Sequence, residues 1–374
     1  MIQLESITEC TNTYARVCNA IINNYEFQTP QFMPVGTKAT VKTLDSSDLD
    51  ELNFPIILAN TYHLYLRPGS KRIYEAGGLK KFMSYSGLFL TDSGGFQVYS
   101  LKHLRKIKED GVEFRSIIDG SKHFFSPTSV INTQRELGAD IMMAFDECPP
   151  GDCDWNYAKD SMEKTHRWAN QCLEAKANTQ NIALGPQNLF GIIQGGIFDD
   201  LRLKSQEIIQ SMEFDGYAVG GLSVGESQKD KKRVLKLLAP GYREDKLRYL
   251  MGVGTPQDLM LGVENGIDLF DCVMPTRVAR HGKLYTSQGA INIKNAKFRN
   301  MDNPVDSNCD CKLCSRYSAS YLHHLMREDE WTGFRLASLH NLEFFQKFMQ
   351  EMRFSIKTGN LLDFLKYWRN IYPT

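Results

Sequence analysis

An α/β fold closed into a (β/α)8 barrel of the TIM type, with a zinc-binding subdomain near the C-terminus, is predicted for this 374-residue chain. Three observations predict it. Eight short apolar runs recur between residues 31 and 275, most intervals between them carry helical patterns, and a tight cysteine group later interrupts the repeat. Runs with apolar residues at successive positions suit strands buried on both faces, as in a parallel sheet. Eight such units over roughly 250 residues fit a closed barrel. An open doubly wound sheet is the alternative, but no G-x-G-x-x-G follows an early strand and no P-loop is present.

In order, the runs are QFMPVGT (31–37), FPIILAN (54–60), LFLTDSGG (88–95), DIMMAFDE (140–147), LFGIIQGG (189–196), GYAVGGLS (216–223), RYLMGVG (248–254) and DLFDCVMP (268–275). Each closes on a polar residue or glycine, and segments such as DLRLKSQEIIQSM between them have helical spacing. In a barrel the strand C-termini form the active face. The residues there are Asn60, Asp92, Asp146, Gln194, Gly220, Gly221, Met251 and Asp271. After Pro275 comes a hairpin-like stretch, KLYTSQGAINIKNAKF, and then a Cys- and His-rich segment. We expect one catalytic barrel domain over 1–374 that includes a zinc-binding subdomain at about 284–345.

The chain is 42% hydrophobic and 24% charged, a globular composition with enough apolar surface for a large core. Its 44 basic and 44 acidic side chains cancel, so no global field recruits a polyanion and any nucleic-acid contact must come from a local patch. The N-terminus lacks a basic region followed by an apolar one, and no stretch of about 18 apolar residues occurs. A cytoplasmic protein without membrane contact is expected. The nine cysteines are odd in number and mostly scattered, unlike a secreted disulfide framework.

Cys309, Cys311 and Cys314 form C-x-C-x-x-C. Three thiolates so close, in a reducing compartment, point to a tetrahedral thiophilic metal, with zinc the natural choice. The fourth ligand is open among His323, His324 and His340; a closed four-ligand site would be structural.

Asp92, Asp146 and Asp271 on one barrel rim invite an acid/base or nucleophile reading, against helix capping as the plain alternative. Glycosyl transfer with retained configuration needs two displacements, hence a carboxylate nucleophile and a second acid/base. A third carboxylate can accept two N–H bonds from a heterocycle, and Gln194 offers a complementary donor and acceptor. The glycines of DSGGF, QGG and VGGLS allow close backbone approach to a flat ligand or serve only tight turns. Phe96 and Met251 could sandwich a base, or simply pack in the core.

Taken together, TDSGGFQV, MMAFDEC, FGIIQGG, VGGLSVGE, YLMGVGTP, FDCVMPTR and CDCKLC with a distant LASLHN resemble the tRNA-guanine transglycosylase family of the bacterial type. The match runs in order from about residue 14 to about residue 345. The resemblance implies a (β/α)8 barrel with a zinc subdomain, and a pentosyltransferase that replaces guanine at the tRNA anticodon wobble position with a 7-deazaguanine through a covalent aspartyl-ribose intermediate. It implies that Asp271 is the nucleophile and Asp92 the general acid/base. Asp146, Gln194 and the Gly221–Leu222 backbone would read the base, with Ser93 beside it. It selects His340 as the fourth zinc ligand, and it places Asn60, Arg277 and Arg280 against the RNA. Cys148 and Val224 match members that take 7-aminomethyl-7-deazaguanine, a queuosine precursor, and Glu226 would help accept the aminomethyl group. Ser223 and Thr255 depart from residues common in relatives, the latter leaving one cation fewer for RNA. The family implies a homodimer with one structural zinc per subunit.

Two other classes are weighed against this reading. A metal-dependent hydrolase or deaminase would need an open metal site, yet H-x-E with P-C-x-x-C is absent, as is H-x-H at the first strand's end. A non-catalytic RNA-binding subunit would lack the carboxylates, but Asp92 and Asp271 are both present.

Overall fold

A computed structural model describes residues 2–100 and 104–373. Eight parallel strands form its centre: β1 (Gln31–Met33), β2 (Ile56–Ala59), β3 (Leu88–Thr91), β4 (Ile141–Met143), β5 (Asn188–Ile193), β6 (Gly216–Val219), β7 (Leu247–Leu250) and β8 (Leu269–Asp271). Each falls on one of the eight predicted runs, with β5 and β7 starting one residue before theirs. Their hydrogen-bonded order is β1-β8-β7-β6-β5-β4-β3-β2. A parallel bridge between Val35 and Leu58, with bonds from Leu58 N to Pro34 O (2.9 Å) and from Gly36 N to Leu58 O (2.7 Å), closes β2 onto β1.

Strand alternation divides the apolar residues between two cores. Met33, Val35, Ile56, Leu58, Leu88, Leu90, Ile141, Met143, Phe190, Ile192, Ala218, Leu247, Tyr249 and Leu269 fill the barrel interior. The intervening residues, such as Phe32, Ile57, Phe89, Leu189 and Phe270, join a larger outer layer beneath the helices. An N-terminal antiparallel sheet (Ile2–Glu9, Arg16–Ile22, Tyr25–Thr29) contributes Ala20, Ile22 and Phe27 to the interior cluster. It sits at the N-terminal ends of the strands, where Arg16 pairs with Asp268 and Asn23 bonds Asp140, so it plugs that end.

The surrounding helices start on conventional caps. Ser126 forms a capping box ahead of Pro127, while Asp154, Ser227 and Thr255 each accept a backbone N–H of the first turn. Two excursions leave the repeat. After β3 a small antiparallel sheet (Arg105–Ile107, Val112–Arg115, Lys122–Phe125) precedes the helix Pro127–Leu137. After β8 come the short helix Met274–Ala279, a hairpin (Lys283–Thr286, Gly289–Asn292) and two small helices (Lys312–Arg316, Ala319–Arg327). The 27-residue helix Trp331–Lys357 then returns to the barrel. It packs on β1, with Phe345 against Phe32 (centroids 4.9 Å) and Gln346 accepting from Gln31 (2.9 Å), and so takes the place of the eighth barrel helix. Among the described residues no helix is long and apolar enough to cross a membrane.

Candidate active site

The site residues are the next inward positions after the last apolar layer. Leu58 leads to Asn60, Leu90 to Asp92, Ile192 to Gln194, Ala218 to Gly220, Tyr249 to Met251 and Leu269 to Asp271, each two residues on and hence on the same face. β4 breaks the rule. Past Met143 the chain turns Phe145 outward to stack on Trp168 (centroids 4.8 Å), which brings Asp146 inward one position later. These residues line one cavity of about 240 Å³ at the C-terminal mouth, together with Ser93, Phe96, Cys148, Gly221 and Leu222. That volume suits a single heterocycle better than a whole nucleotide.

Asp271 is buried, and both bonds it accepts fall on one oxygen: Tyr249 O–H at 2.5 Å and Gly252 N–H at 2.6 Å reach Oδ1. Oδ2 has no hydrogen-bond partner among the described residues. Burial pushes the Asp271 pKa up, while the Tyr249 and Gly252 donors oppose the shift. Asp92 accepts from Asn60 Nδ2 (2.6 Å) at Oδ2 and from Thr61 N (2.8 Å) at Oδ1. Burial raises its pKa to about 6 against the bonds from Asn60, Thr61 and Gln97, and the charge of Asp271 adds to the rise. A carboxyl so poised can both give and take a proton near neutrality.

Asp146 accepts from Ser93 Oγ (3.1 Å) and Gln194 Nε2 (2.7 Å), and burial raises it to about 6 as well. Gln194 Oε1 is buried without a hydrogen-bond partner among the described residues. The adjacent glycines make room for that amide. A Cβ on Gly220 would lie 2.7 Å from Gln194 Nε2, and one on Gly221, at φ +64°, 2.4 Å from Oε1. Phe96, half exposed, and Met251 both border the cavity. Glu226 is outside its lining: the carboxylate accepts from Ser223 N and Val224 N, holding a loop in which Ser223 has φ +64°.

Asn60 lies inside the cavity as the donor to Asp92. Arg277, exposed on the helix Met274–Ala279, and Arg280, capping it, are not part of the lining, and neither forms an ion pair with Asp271 or any other acid among the described residues. The proximity of Asp271 to two arginines in sequence is therefore not pairing in space. Sequence reasoning missed Tyr249, Gly252 and Thr61, which hold the two carboxylates. Alternation in RYLMGVG could have found Tyr249, since it shares a face with Met251.

At the far end of the eighth unit, the Sγ atoms of Cys309, Cys311 and Cys314 lie 3.8, 3.4 and 3.4 Å from His340 Nδ1. All four atoms are within 4.8 Å of one another. Metal bonds of about 2.3 Å to sulfur and about 2.0 Å to nitrogen at tetrahedral angles give an edge of about 3.5 Å, so the set fits one tetrahedral metal ion. His340 Nε2 donates to Tyr285 O (2.8 Å), which fixes Nδ1 as the free ligand atom. His323 donates to Ile293 O (2.7 Å) and His324 is exposed, so neither joins the cluster. Because His340 belongs to the helix on β1, a bound metal would clamp the excursion after β8 to the barrel.

A family model described as queuine tRNA-ribosyltransferase matches residues 10–374. A queuine tRNA-ribosyltransferase of Leptospira biflexa is 49% identical over 362 residues, covering 97% of this chain and 96% of the relative. One of Enterococcus faecalis is 50% identical over 363 residues (97% and 94%), and one of Halothermothrix orenii 51% over 353 residues (94% and 93%).

Proposed function

The chain belongs to the queuine tRNA-ribosyltransferase family, and from that premise we propose that it is a tRNA-guanine transglycosylase, a pentosyltransferase exchanging guanine at the anticodon wobble position for 7-aminomethyl-7-deazaguanine. The observation that carries the reading is the asymmetry of Asp271. One oxygen is tied down and the other is open at a base-sized cavity, beside a second carboxyl poised near neutral pH.

In the proposed sequence the target nucleotide leaves the anticodon stack at a cost of a few kcal/mol. Asp271 Oδ2 attacks ribose C1′. The bond from C1′ to the guanine nitrogen breaks with its electron pair staying on the base, and Asp92 delivers a proton to it. The ribose is then held as an aspartyl ester. Asp92, now a carboxylate, takes a proton from the ring nitrogen of the incoming base, which attacks C1′ and frees Asp271. Two inversions retain configuration. Asp146, Gln194 and the Gly221–Leu222 backbone read either base. The orphan Gln194 Oε1 accepts a base N–H, Ser93 orients Asp146, and Phe96 and Met251 flank the ring. Cys148 and Glu226 shape the wall and loop where a 7-substituent would lie. Asn60, Arg277 and Arg280 serve the RNA around the exchanged base.

We assign the Cys309, Cys311, Cys314 and His340 set to zinc, one structural ion per subunit, in a subdomain at about 284–345 within a single catalytic unit. The donor chemistry fits zinc, which would supply a cross-link and no step of the reaction. A cytoplasmic homodimer completes the proposal.

The test is incubation of zinc-loaded protein with unmodified queuosine-family tRNA and labelled guanine, with 7-aminomethyl-7-deazaguanine as competitor. Label should enter with wild type and not with Asp271→Ala, and the deazaguanine should suppress it irreversibly. A denaturation-resistant protein–RNA adduct should appear only with Asp271 present. No incorporation by folded wild type would overturn the assignment.

A further inference from the structure

Arg202 stands out among the groups that no step above uses. It lies in the first turn of the helix Asp199–Ser211 and is completely buried. No carboxylate pairs with it among the described residues. Its three bonds all go to backbone carbonyls: Nε to Gly196 O (2.7 Å), Nη1 to Ile193 O (2.9 Å) and Nη2 to Gly221 O (3.2 Å). Burial lowers its pKa to about 10, which leaves it a cation at neutral pH. A buried, unpaired guanidinium is costly, and a helix can be joined to two loops with apolar contacts at less expense. The three carbonyls belong to the end of β5 and to the two glycine turns that flank Gln194, so the cation sits directly behind the base-reading wall.

The polarity of one peptide group shows what the arrangement achieves. The Gly221 carbonyl points back to Arg202. The N–H of the same peptide belongs to Leu222, which lines the cavity, and it has no acceptor among the described residues. A cation on the carbonyl fixes the direction of the peptide and polarises it, strengthening the N–H on its other side. Gly221, at φ +64°, has no side chain to hold this orientation itself, and a Cβ there would collide with Gln194.

We propose that Arg202 is a positioning residue for the heterocycle: it orients the Gly221–Leu222 peptide so that its N–H faces the base, and its charge favours the base leaving with the electron pair of the broken glycosidic bond. This rests on the base-exchange reading. Asp92 still supplies the proton and Asp271 still forms the bond to C1′; Arg202 touches neither substrate.

The experiment compares Arg202→Met and Arg202→Lys with wild type in the exchange assay, measuring kcat and the separate KM values for guanine and tRNA. Metal content and melting temperature establish that each variant is folded. Arg202→Met is expected to lose about tenfold or more in kcat and to raise the guanine KM several-fold, with the tRNA KM unchanged. Arg202→Lys, which returns the charge, should recover most of the loss in kcat. A folded Arg202→Met with kcat and guanine KM within about twofold of wild type overturns the proposal, and so does an Arg202→Lys no better than Met. If Arg202→Met does not fold, Arg202→Lys decides, because lysine cannot span three carbonyls: a raised guanine KM at constant tRNA KM supports the proposal and an unchanged one overturns it. Wild type inactive in base exchange would instead sink the assigned reaction.

Discussion

Asp268 and Asp271 stand at opposite ends of the run Asp268-Leu269-Phe270-Asp271, both buried, and the molecule completes one while leaving the other open. Asp268, at the plugged end, accepts a fork from Arg16 (3.0 Å to Oδ1, 2.7 Å to Oδ2) and a further bond from Arg248 N (2.9 Å). The same guanidinium reaches Glu244 O and Lys246 O, so both charges are fully engaged. Asp271, at the mouth, receives neutral donors at one oxygen only and, among the described residues, no cation. The same residue type on one strand thus serves assembly at the end where partners converge. At the end where they are withheld, it remains available for chemistry.

The largest expected effect comes from Asp271→Asn, which keeps the shape and removes the proposed nucleophile. Exchange should fall at least about 10³-fold, while the melting temperature stays level or rises, because a buried amide replaces a poorly compensated anion. A variant keeping a tenth of wild-type activity would show that the open oxygen is not the attacking one. Asp268→Asn should do the reverse. Removing one partner of a buried pair strands the Arg16 charge and costs about 3–5 kcal/mol, read as an earlier denaturant midpoint, with near-normal kcat in the fraction that folds. Loss of kcat without loss of stability would erase the division between the two ends.

The same contrast explains what the sequence made legible. The eight strands were readable because burial on both faces leaves nearly continuous apolar runs, and the mouth residues because each run ends in a polar residue or glycine. Three members of the cluster that could hold a metal ion were readable, since C-x-C-x-x-C is local. His340 needed the resemblance, because it comes from a helix whose place on β1 is a tertiary fact. Tyr249 was hidden as an apparent core aromatic, and Arg202 as one charge in an ordinary amphipathic helix. The plug sheet and the sheet after β3 were not foreseen, because short antiparallel strands between polar turns carry little periodicity. Arg277 and Arg280 stand near Asp271 along the chain, yet among the described residues neither pairs with it, so nearness in sequence says nothing of what holds that carboxylate.

A smaller effect separates the open end from the closed one by pH. Burial raises Asp92 to about 6, above an ordinary carboxylate, so the folded state holds that proton more tightly than the unfolded chain. The stability this contributes is fully present below about pH 4 and is lost as pH rises through about 6. A shift of about two units amounts to roughly 2–3 kcal/mol. Asp92→Asn removes the titration, with Asn60 turning its amide to offer oxygen. The variant should therefore be more stable than wild type by about that amount above pH 7 and no more stable near pH 4. Parallel denaturation curves from pH 4 to 8 measure it; a gap independent of pH would mean that the variant acts by packing.

The smallest effect tests why Tyr249 holds Asp271 at all. Its O–H favours the ionised carboxylate against burial, so Tyr249→Phe should push the Asp271 pKa further up and leave Gly252 N–H as the remaining donor. A hydrogen bond to a charged group contributes about 1.5–3 kcal/mol, so kcat/KM should fall about tenfold on the acid side of the Asp271 titration. The sign then changes with pH. Once the medium is alkaline enough to ionise Asp271 in both proteins, the variant's carboxylate is less stabilised and should attack more readily, so the deficit should shrink or reverse. A deficit constant across pH would mean that the phenol merely fills space. A deficit that closes would show that the open end of β8 is tuned by withholding donors, the condition that Asp268 at the other end never meets.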